Sequence, residues 1–411
     1  MTAGGGAASQ TTPRGSIFTA LQRYPAFRLL WIGTVATNLG QWMQNIALGW
    51  QMLVLTDSAF WVGMIAFASG IPYLVVALPA GALIDRVDER RVLLVAQWCA
   101  MVVAILLAAL ILAGWAEPWH LIVAAGLNGT IMAFNQMVRQ TLVPALVSRE
   151  HMANAVSLSS AGANAMRIIG PSIAGVVIGA FGAGVCFVLQ AVALVGALLT
   201  TMRIEPIEHQ RAGIATGGIL DGWHAVRKRP ALGSLIVITA IPAVLVFPYI
   251  QMMPVFARDV FDIGPGGLGI LMAASGAGAL TGALTAATMD RVARKGRMVM
   301  LLTVAYCLAV CGFAISPHPA LAMLGLFMSG VTGSIFGSLT STLVLLLADA
   351  RVRGRVMAVY TLTNGFTPFG ALALGASAEA FGAPPAVGIA CALSALLTAG
   401  CFFFMNSLRE T

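Results

Sequence analysis

Charge is what this chain has least of: 9% of its 411 residues are charged, against 59% hydrophobic, at a mean hydropathy of +0.90. That is far more apolar surface than a soluble domain of this length could bury, which excludes a water-soluble globular fold. Regular apolar/polar alternation is missing too, so the apolar runs are read as helices rather than barrel strands. No Gly-x-x-x-x-Gly-Lys-Ser/Thr loop occurs, so the chain does not hydrolyse ATP itself. His120, His151, His209, His224 and His318 fall in loops or at span ends and form no metal or nucleophile constellation, which leaves an enzyme as the weakest reading and implies no cofactor. The six cysteines all lie in apolar runs. Cys307 and Cys311 are one helical turn apart, but with no His or carboxylate nearby they read as packing residues rather than a metal pair.

What is present is a series of twelve apolar runs, at about 29–54, 60–83, 92–114, 119–141, 154–179, 183–202, 231–256, 266–289, 298–316, 320–347, 356–378 and 385–405. Each is long enough to cross a hydrocarbon core of ~30 Å as a helix. The 45 glycines, with many Ala and Ser, let such helices approach closely. The net charge of +8 would suggest nucleic acid in a soluble protein, so its placement decides its meaning. If the twelve runs are spans, 21 of the 23 basic residues fall on one side; Arg258 falls on the other and Arg167 inside a span. Under the positive-inside rule both termini are cytoplasmic, no nucleic acid is implied, and the lipid bilayer is the partner. The expectation is an all-α, multi-pass protein of the bacterial inner (plasma) membrane.

The expected division is a disordered cytoplasmic tail at 1–26 without a cleavable signal, six spans over 27–202, a cytoplasmic linker at 203–230, six more spans over 231–405, and a tail at 406–411. Within the linker, Asp221 to Lys228 reads either as a surface amphipathic helix anchored by Trp223 or as solvated chain. The two halves repeat at an offset of about 200 residues: Thr141-Leu142-Val143 matches Thr342-Leu343-Val344, and Phe181-Gly182-Ala183 matches Phe381-Gly382-Ala383. A charge knot, Gly81-Ala82-Leu83-Ile84-Asp85-Arg86-Val87-Asp88-Glu89-Arg90-Arg91, recurs in degraded form at Met289-Asp290-Arg291-Val292-Ala293-Arg294-Lys295.

Two six-span halves in parallel repeat, each with such a knot, resemble the major facilitator superfamily over essentially the whole chain. Gly81, Asp85, Arg86, Arg90 and Arg91 fit that superfamily's loop signature, with Asp88 where the family usually has glycine. The resemblance implies a substrate site between the halves near the bilayer midplane. A carboxylate at a helix end can pair with a nearby Arg or a helix N-terminus. The knot is therefore read as a conformational latch with Asp85 and Arg139 as the pair, beside the plainer reading that these charges only fix topology. In the second copy Asp290 and Arg291 remain, but Ala286 replaces the glycine and no Arg corresponds to Arg139, so that latch is weaker. Span five carries Arg167-Ile168-Ile169-Gly170-Pro171-Ser172-Ile173-Ala174-Gly175, which resembles a reduced exporter Gly-Pro motif; Gly170, Pro171 and Gly175 would kink it at the contact between the halves. The wider stretch from Leu146 to Gly175, with Arg353-Gly354-Arg355-Val356, resembles the enterobactin-exporter branch, also called transmembrane secretion effectors, which includes macrolide and multidrug efflux members.

Polar stripes at helical spacing supply cavity candidates. Span one offers Thr34, Asn38, Gln41 and Asn45; span four offers Asn128, Met132, Asn135 and Arg139; span ten offers Ser329, Thr332, Phe336 and Thr340. Arg167 shares a face with Ser157, Ser160, Asn164 and Pro171, and either meets an anionic substrate group or binds backbone carbonyls at the five–eight contact. Amides beside Trp42, Phe134, Tyr249, Met252 and Met253 suit a bulky amphipathic small molecule, with interhelical hydrogen bonding as the alternative for each residue. Pro242, Pro248 and Pro254 mark span seven as a helix that bends. No acidic residue lies at mid-membrane, so proton antiport follows only from the resemblance, with Asp57 and Glu379 as its carriers. The leading reading is a proton-driven exporter of a siderophore or drug-like compound working by alternating access; an uptake carrier and a non-transporting receptor or scaffold are its rivals.

Overall fold

The computed structural model describes residues 18–84, 88–205, 219–289, 295–349 and 352–404, and among them every regular element is helical. The first half holds α1 (Thr19–Arg23), α2 (Pro25–Thr56), α3 (Ala59–Ile84), α4 (Glu89–Leu112), α5 (Pro118–Ala145), α6 (Met152–Phe181) and α7 (Ala183–Met202). The second holds α8 (Ile219–Lys228), α9 (Pro230–Leu245), α10 (Met253–Val255), α11 (Gly264–Ala287), α12 (Lys295–Ala314), α13 (Pro319–Leu347), α14 (Arg353–Asn364), α15 (Thr367–Phe381) and α16 (Ala383–Phe404). Many starts follow from proline: Pro25, Pro118, Pro230 and Pro319 each open a helix, where the missing N–H would have had no partner. Asp88 caps α4 by accepting from the Arg90 amide at 3.0 Å.

Among the described residues, ten helices are long and apolar enough to cross a membrane by length and composition. They are α3 to α7, the broken segment Pro230–Val260, α11 to α13 and α16. Two further segments do not qualify. α2 is 32 residues long but carries a run of amides and hydroxyls, and α14 and α15 are 12 and 15 residues each, separated at Gly365 and Phe366. That break has a simple cause: Pro368 has no N–H to offer the Asn364 carbonyl. Span seven breaks for the same reason. After α9 come a 3₁₀ turn at Phe247–Met252, the short α10, and a π turn at Phe256–Val260, with Pro248 and Pro254 inside them. α6 continues through Pro171, whose missing N–H leaves the Arg167 carbonyl without its intrahelical donor.

The halves meet along two crossings, α6 against α11 and α3 against α15. These pairs exchange under the internal repeat, which maps α3 to α11 and α6 to the α14–α15 segment. Glycine makes both crossings possible. A Cβ on Gly175 would lie 2.5 Å from the Gly269 Cα, and one on Gly63 would lie 2.5 Å from the Ala371 carbonyl oxygen. The repeat shows again in the turns: Gly182 and Gly382 both take positive φ (84° and 88°), and Asp57 and Asp262 both end spans at φ 50°.

Apolar packing differs between the two ends of the bundle. At the end bearing Asp57, one core joins both halves, with Leu48, Met52 and Phe187 packed into the same cluster as Tyr249, Phe256 and Phe313. At the other end the cores stay separate: one is built wholly from the second half, and two smaller ones wholly from the first. α8 belongs to the second half, since Val226 is buried in its core while Trp223 stays exposed under the Arg227 guanidinium, 5.7 Å from its ring centre. Arg229 pairs with Asp349 at 2.6 Å. Large apolar side chains such as Leu106, Val176, Val192 and Leu396 remain exposed on the perimeter, where lipid covers them.

Gly175→Val places two γ-carbons into the α6–α11 crossing and is expected to destabilise the protein by about 1–3 kcal/mol, with Gly63→Val doing the same at the other crossing. Gly196→Ala, where a Cβ meets nothing within 4 Å, is the control. Thermal unfolding in detergent measures all three; equal midpoints for the variants and the control would refute the close-packed crossings.

Candidate substrate cavity

Two adjoining cavities lie on the inner faces of the helices, one on α2, α5 and α6 toward the end where the cores are separate, the other on α2, α3 and α5. The larger, about 330 Å³, is walled by Thr34, Thr37, Asn38 and Gln41 of α2, Asn135, Gln136 and Arg139 of α5, and Ser159 and Ser160 of α6. All of its lining comes from the first half. The second, about 240 Å³, shares Gln41 and Met132 with the first and continues deeper to Asn45 and Asn128. Its far wall comes from the second half, including Gln251, Asn364 and Pro368. The stripe on α2 thus lies along both cavities, because residues three and four apart share one helix face.

Several wall groups are tied locally. Gln41 donates to the Asn45 side-chain oxygen at 3.3 Å, Asn128 to the Ala124 carbonyl at 2.9 Å, and Asn135 to the Ile131 carbonyl at 3.3 Å. Among the wall residues, Asn135 Oδ1 and Arg139 Nη1 are buried with no hydrogen-bond partner among the described residues. In lipid such groups are expensive to leave unpaired.

The other expected wall residues sit elsewhere. Asn164 and Arg167 are exposed on α6 and line neither cavity. Arg167 is one turn beyond Ala163 on the face that lines the larger cavity. Phe336, 2% exposed, is packed in the second half's own core, and the Thr332 hydroxyl donates to the Met328 carbonyl of its own helix. Tyr249, Met252 and Met253 are in the sealed core rather than on the cavity. A periodic stripe gives a face but not the neighbour that covers it, and α13 turns this one toward its own half. Thr37, Gln136, Tyr73, Gln251 and Asn364 were not singled out in the sequence; Asn364 had a signal, since it precedes the helix break at Pro368.

Of the latch residues, Asp85, Arg86, Asp290 and Arg291 lie outside the described residues, so the pairing of Asp85 with Arg139 lies outside them too. Gly81 falls within α3. Arg90 donates to the last carbonyls of α7, Met202 at 2.7 Å and Thr201 at 3.4 Å, as suits a cation at a helix C-terminus. Arg91 pairs with Asp88 at 3.4 Å.

The sealed end carries a polar clasp between the halves. Its focus is the turn Asp57-Ser58 that joins α2 to α3. Arg258 of the second half pairs with the Asp57 carboxylate and donates to the Leu53 carbonyl at 2.9 Å, while its Nε meets Asp259. Glu379, at the end of α15, accepts from the Ser58 hydroxyl at 2.9 Å and from the Phe60 amide at 3.3 Å, which caps the start of α3. Both residues named as proton carriers from the sequence are therefore in contacts that cross between the halves.

The family model described as transmembrane secretion effector matches residues 16–411. The staphyloferrin A transporter of Staphylococcus aureus is 24% identical over 90% of this chain and 93% of its own. A multidrug efflux pump of Mycolicibacterium fortuitum is 28% identical over 95% and 98%, and the enterobactin exporter of Shigella flexneri 25% identical over 84% and 82%. Among solved structures, a bacterial homologue of the human lysosomal transporter Spinster, inward-facing and unoccupied, superposes with a TM-score of 0.73 at 13% identity, covering 94% of this chain and 96% of that one.

Cysteines placed singly at Asn38, Gln41, Asn135 and Ser160 are expected to react with a water-soluble maleimide in the purified protein, while cysteines at Phe336 and Tyr249 stay protected. Comparable labelling at both sets, read by mass shift, would refute the cavity's position.

Proposed function

The chain belongs to the transmembrane secretion effector family of the major facilitator superfamily, and from that premise we propose that it exports a siderophore or a bulky amphipathic compound. It is a transporter of the major facilitator type, a multi-pass protein of the bacterial inner membrane, in a family of transporters rather than enzymes. We take α2 and the α14–α15 segment as spans alongside the ten that qualify by composition, which makes twelve in two halves joined by the linker at 203–230. Both termini are then cytoplasmic, in keeping with the basic residues on that side. The cavity opens to the cytoplasm and the Asp57–Arg258 clasp faces outward.

One observation carries the mechanism: a single apolar core joins the halves at the clasp end, while at the other end the cores are separate and the deeper polar cavity is walled by both halves. A protein so built takes cargo from the cytoplasm and releases it outside once the halves rock about the α6–α11 and α3–α15 crossings. Export rather than uptake is favoured by relatives that are named for exporting enterobactin and for multidrug efflux. Proton antiport is assigned to the clasp: protonating Asp57 removes an ion pair, and protonating Glu379 weakens the charged acceptor that caps α3, so a proton arriving from outside favours opening there.

A deletion strain is expected to show hypersensitivity within a compound panel or reduced siderophore release, restored by the wild-type gene, and its cells to hold more of the labelled compound. In wild-type cells an uncoupler should raise accumulation. An uncoupler-induced fall would instead favour uptake, and failure of the gene to restore either phenotype would count against transport of these classes. Arg258→Ala is expected to increase labelling of an Asn45→Cys reporter by an external, impermeant maleimide several-fold, and Glu379→Gln to flatten the dependence of transport on the proton gradient. Unchanged labelling and unchanged gradient dependence would remove the clasp from the cycle.

A further inference from the structure

The larger cavity presents a cation with no counter-charge among the described residues. Arg139 lines it, and its Nη1 is buried without a hydrogen-bond partner among the described residues. Among the described residues, no Asp or Glu stands in the wall of either cavity. One turn away on the same face of α5, Asn135 Oδ1 is a buried acceptor that is equally unfilled. Arg167, exposed on α6 one turn beyond Ala163, lines neither cavity but is a second cation with no ion pair among the described residues. The carboxylates of the clasp, Asp57, Asp259 and Glu379, are at the far, sealed end and are engaged there. A guanidinium nitrogen buried without a partner is expensive, and one that lines a passage marks the path of the substrate.

We infer that the cargo is an anion, recognised by Arg139 through a carboxylate or other anionic oxygen group, with a neighbouring hydroxyl or amide N–H donated to Asn135 Oδ1. This rests on the transporter reading above and narrows it, because a positively charged amphiphile would meet the Arg139 cation and, among the described residues, no counter-charge in the cavity wall. The planar guanidinium fork suits an oxyanion with two acceptor oxygens, which an ammonium would not grip in the same way. The amides Asn38 and Gln41 on the facing wall supply uncharged contacts to the rest of the cargo.

The test uses the full-length protein purified in detergent, with carboxyfluorescein as the anionic probe and a cationic rhodamine of the same xanthene skeleton as its counterpart, both read by fluorescence polarisation. Saturable binding of carboxyfluorescein is expected, at least about tenfold tighter than the rhodamine. Arg139→Gln should weaken it by about tenfold or more, the loss expected when a charge-assisted hydrogen bond is removed, while Arg139→Lys keeps a larger share of the affinity and Asn135→Leu lowers it more modestly. Equal binding of the two dyes, a preference for the rhodamine, or no saturable carboxyfluorescein binding overturns the inference. So does an Arg139→Gln protein that transports poorly yet binds carboxyfluorescein as wild type does, because the residue would then act in gating alone. Should Arg139→Gln fail to fold, the dye preference of the wild type and the Asn135→Leu result decide. Binding does not depend on the direction of transport, so anion binding with no export phenotype would sink the export reading and leave this one standing.

Discussion

Two backbone-to-backbone crossings, one where Gly175 meets Gly269 and one where Gly63 meets Ala371 and Gly375, set what the rest of this molecule can do. Lipid offers no hydrophobic drive for helix association, so contact between the halves has to come from close packing. Because there is no room for a Cβ at either crossing, the halves cannot slide past each other there, and tilting about the crossings is the cheap motion. Everything on one side of them is joined by a shared apolar core, and everything on the other side is divided.

That division explains where polar groups are tolerated. The amides of α2 and α5 look into the space between the halves, where water and cargo take the place of lipid, so each pays less for being polar than it would on the perimeter. The clasp at the sealed end works differently. Arg258 and Glu379 both act on the same short turn, one by ion pairing and one by capping a helix, and both contacts are broken by the same separation. An exposed ion pair alone contributes little; its value here lies in joining a contact that also finishes a helix.

Much of this was readable from the residues. Continuous apolar runs gave the helices, the repeat of Phe-Gly-Ala gave two turns of the same positive-φ geometry at Gly182 and Gly382, and the amide stripe from Thr34 to Asn45 lies along the cavities. What could not be read was which neighbour covers a given face. Phe336 and Thr332 share a periodic stripe as regular as that of α2, yet α13 packs it against its own half. Tyr249, Met252 and Met253 were plausible cavity walls until the breaks at Pro248 and Pro254 carried them into the sealed core. Asp57 and Glu379 were visible as outer-loop acids, but the reach of Glu379 to Ser58, 321 residues away on the turn that holds Asp57, is a tertiary fact that spacing does not encode.

The larger cavity is walled by the first half alone, while the second half supplies the far wall of the deeper one and the arms of the clasp. Recognition and movement are therefore carried by different stretches of one chain, despite their origin in a repeat. Such a protein could acquire a new cargo through changes confined to α2, α5 and α6, with the parts that open and close the passage left as they are. Within a lineage, cargo and machinery would then drift at separate rates, and the first half would be the part that records what each descendant carries.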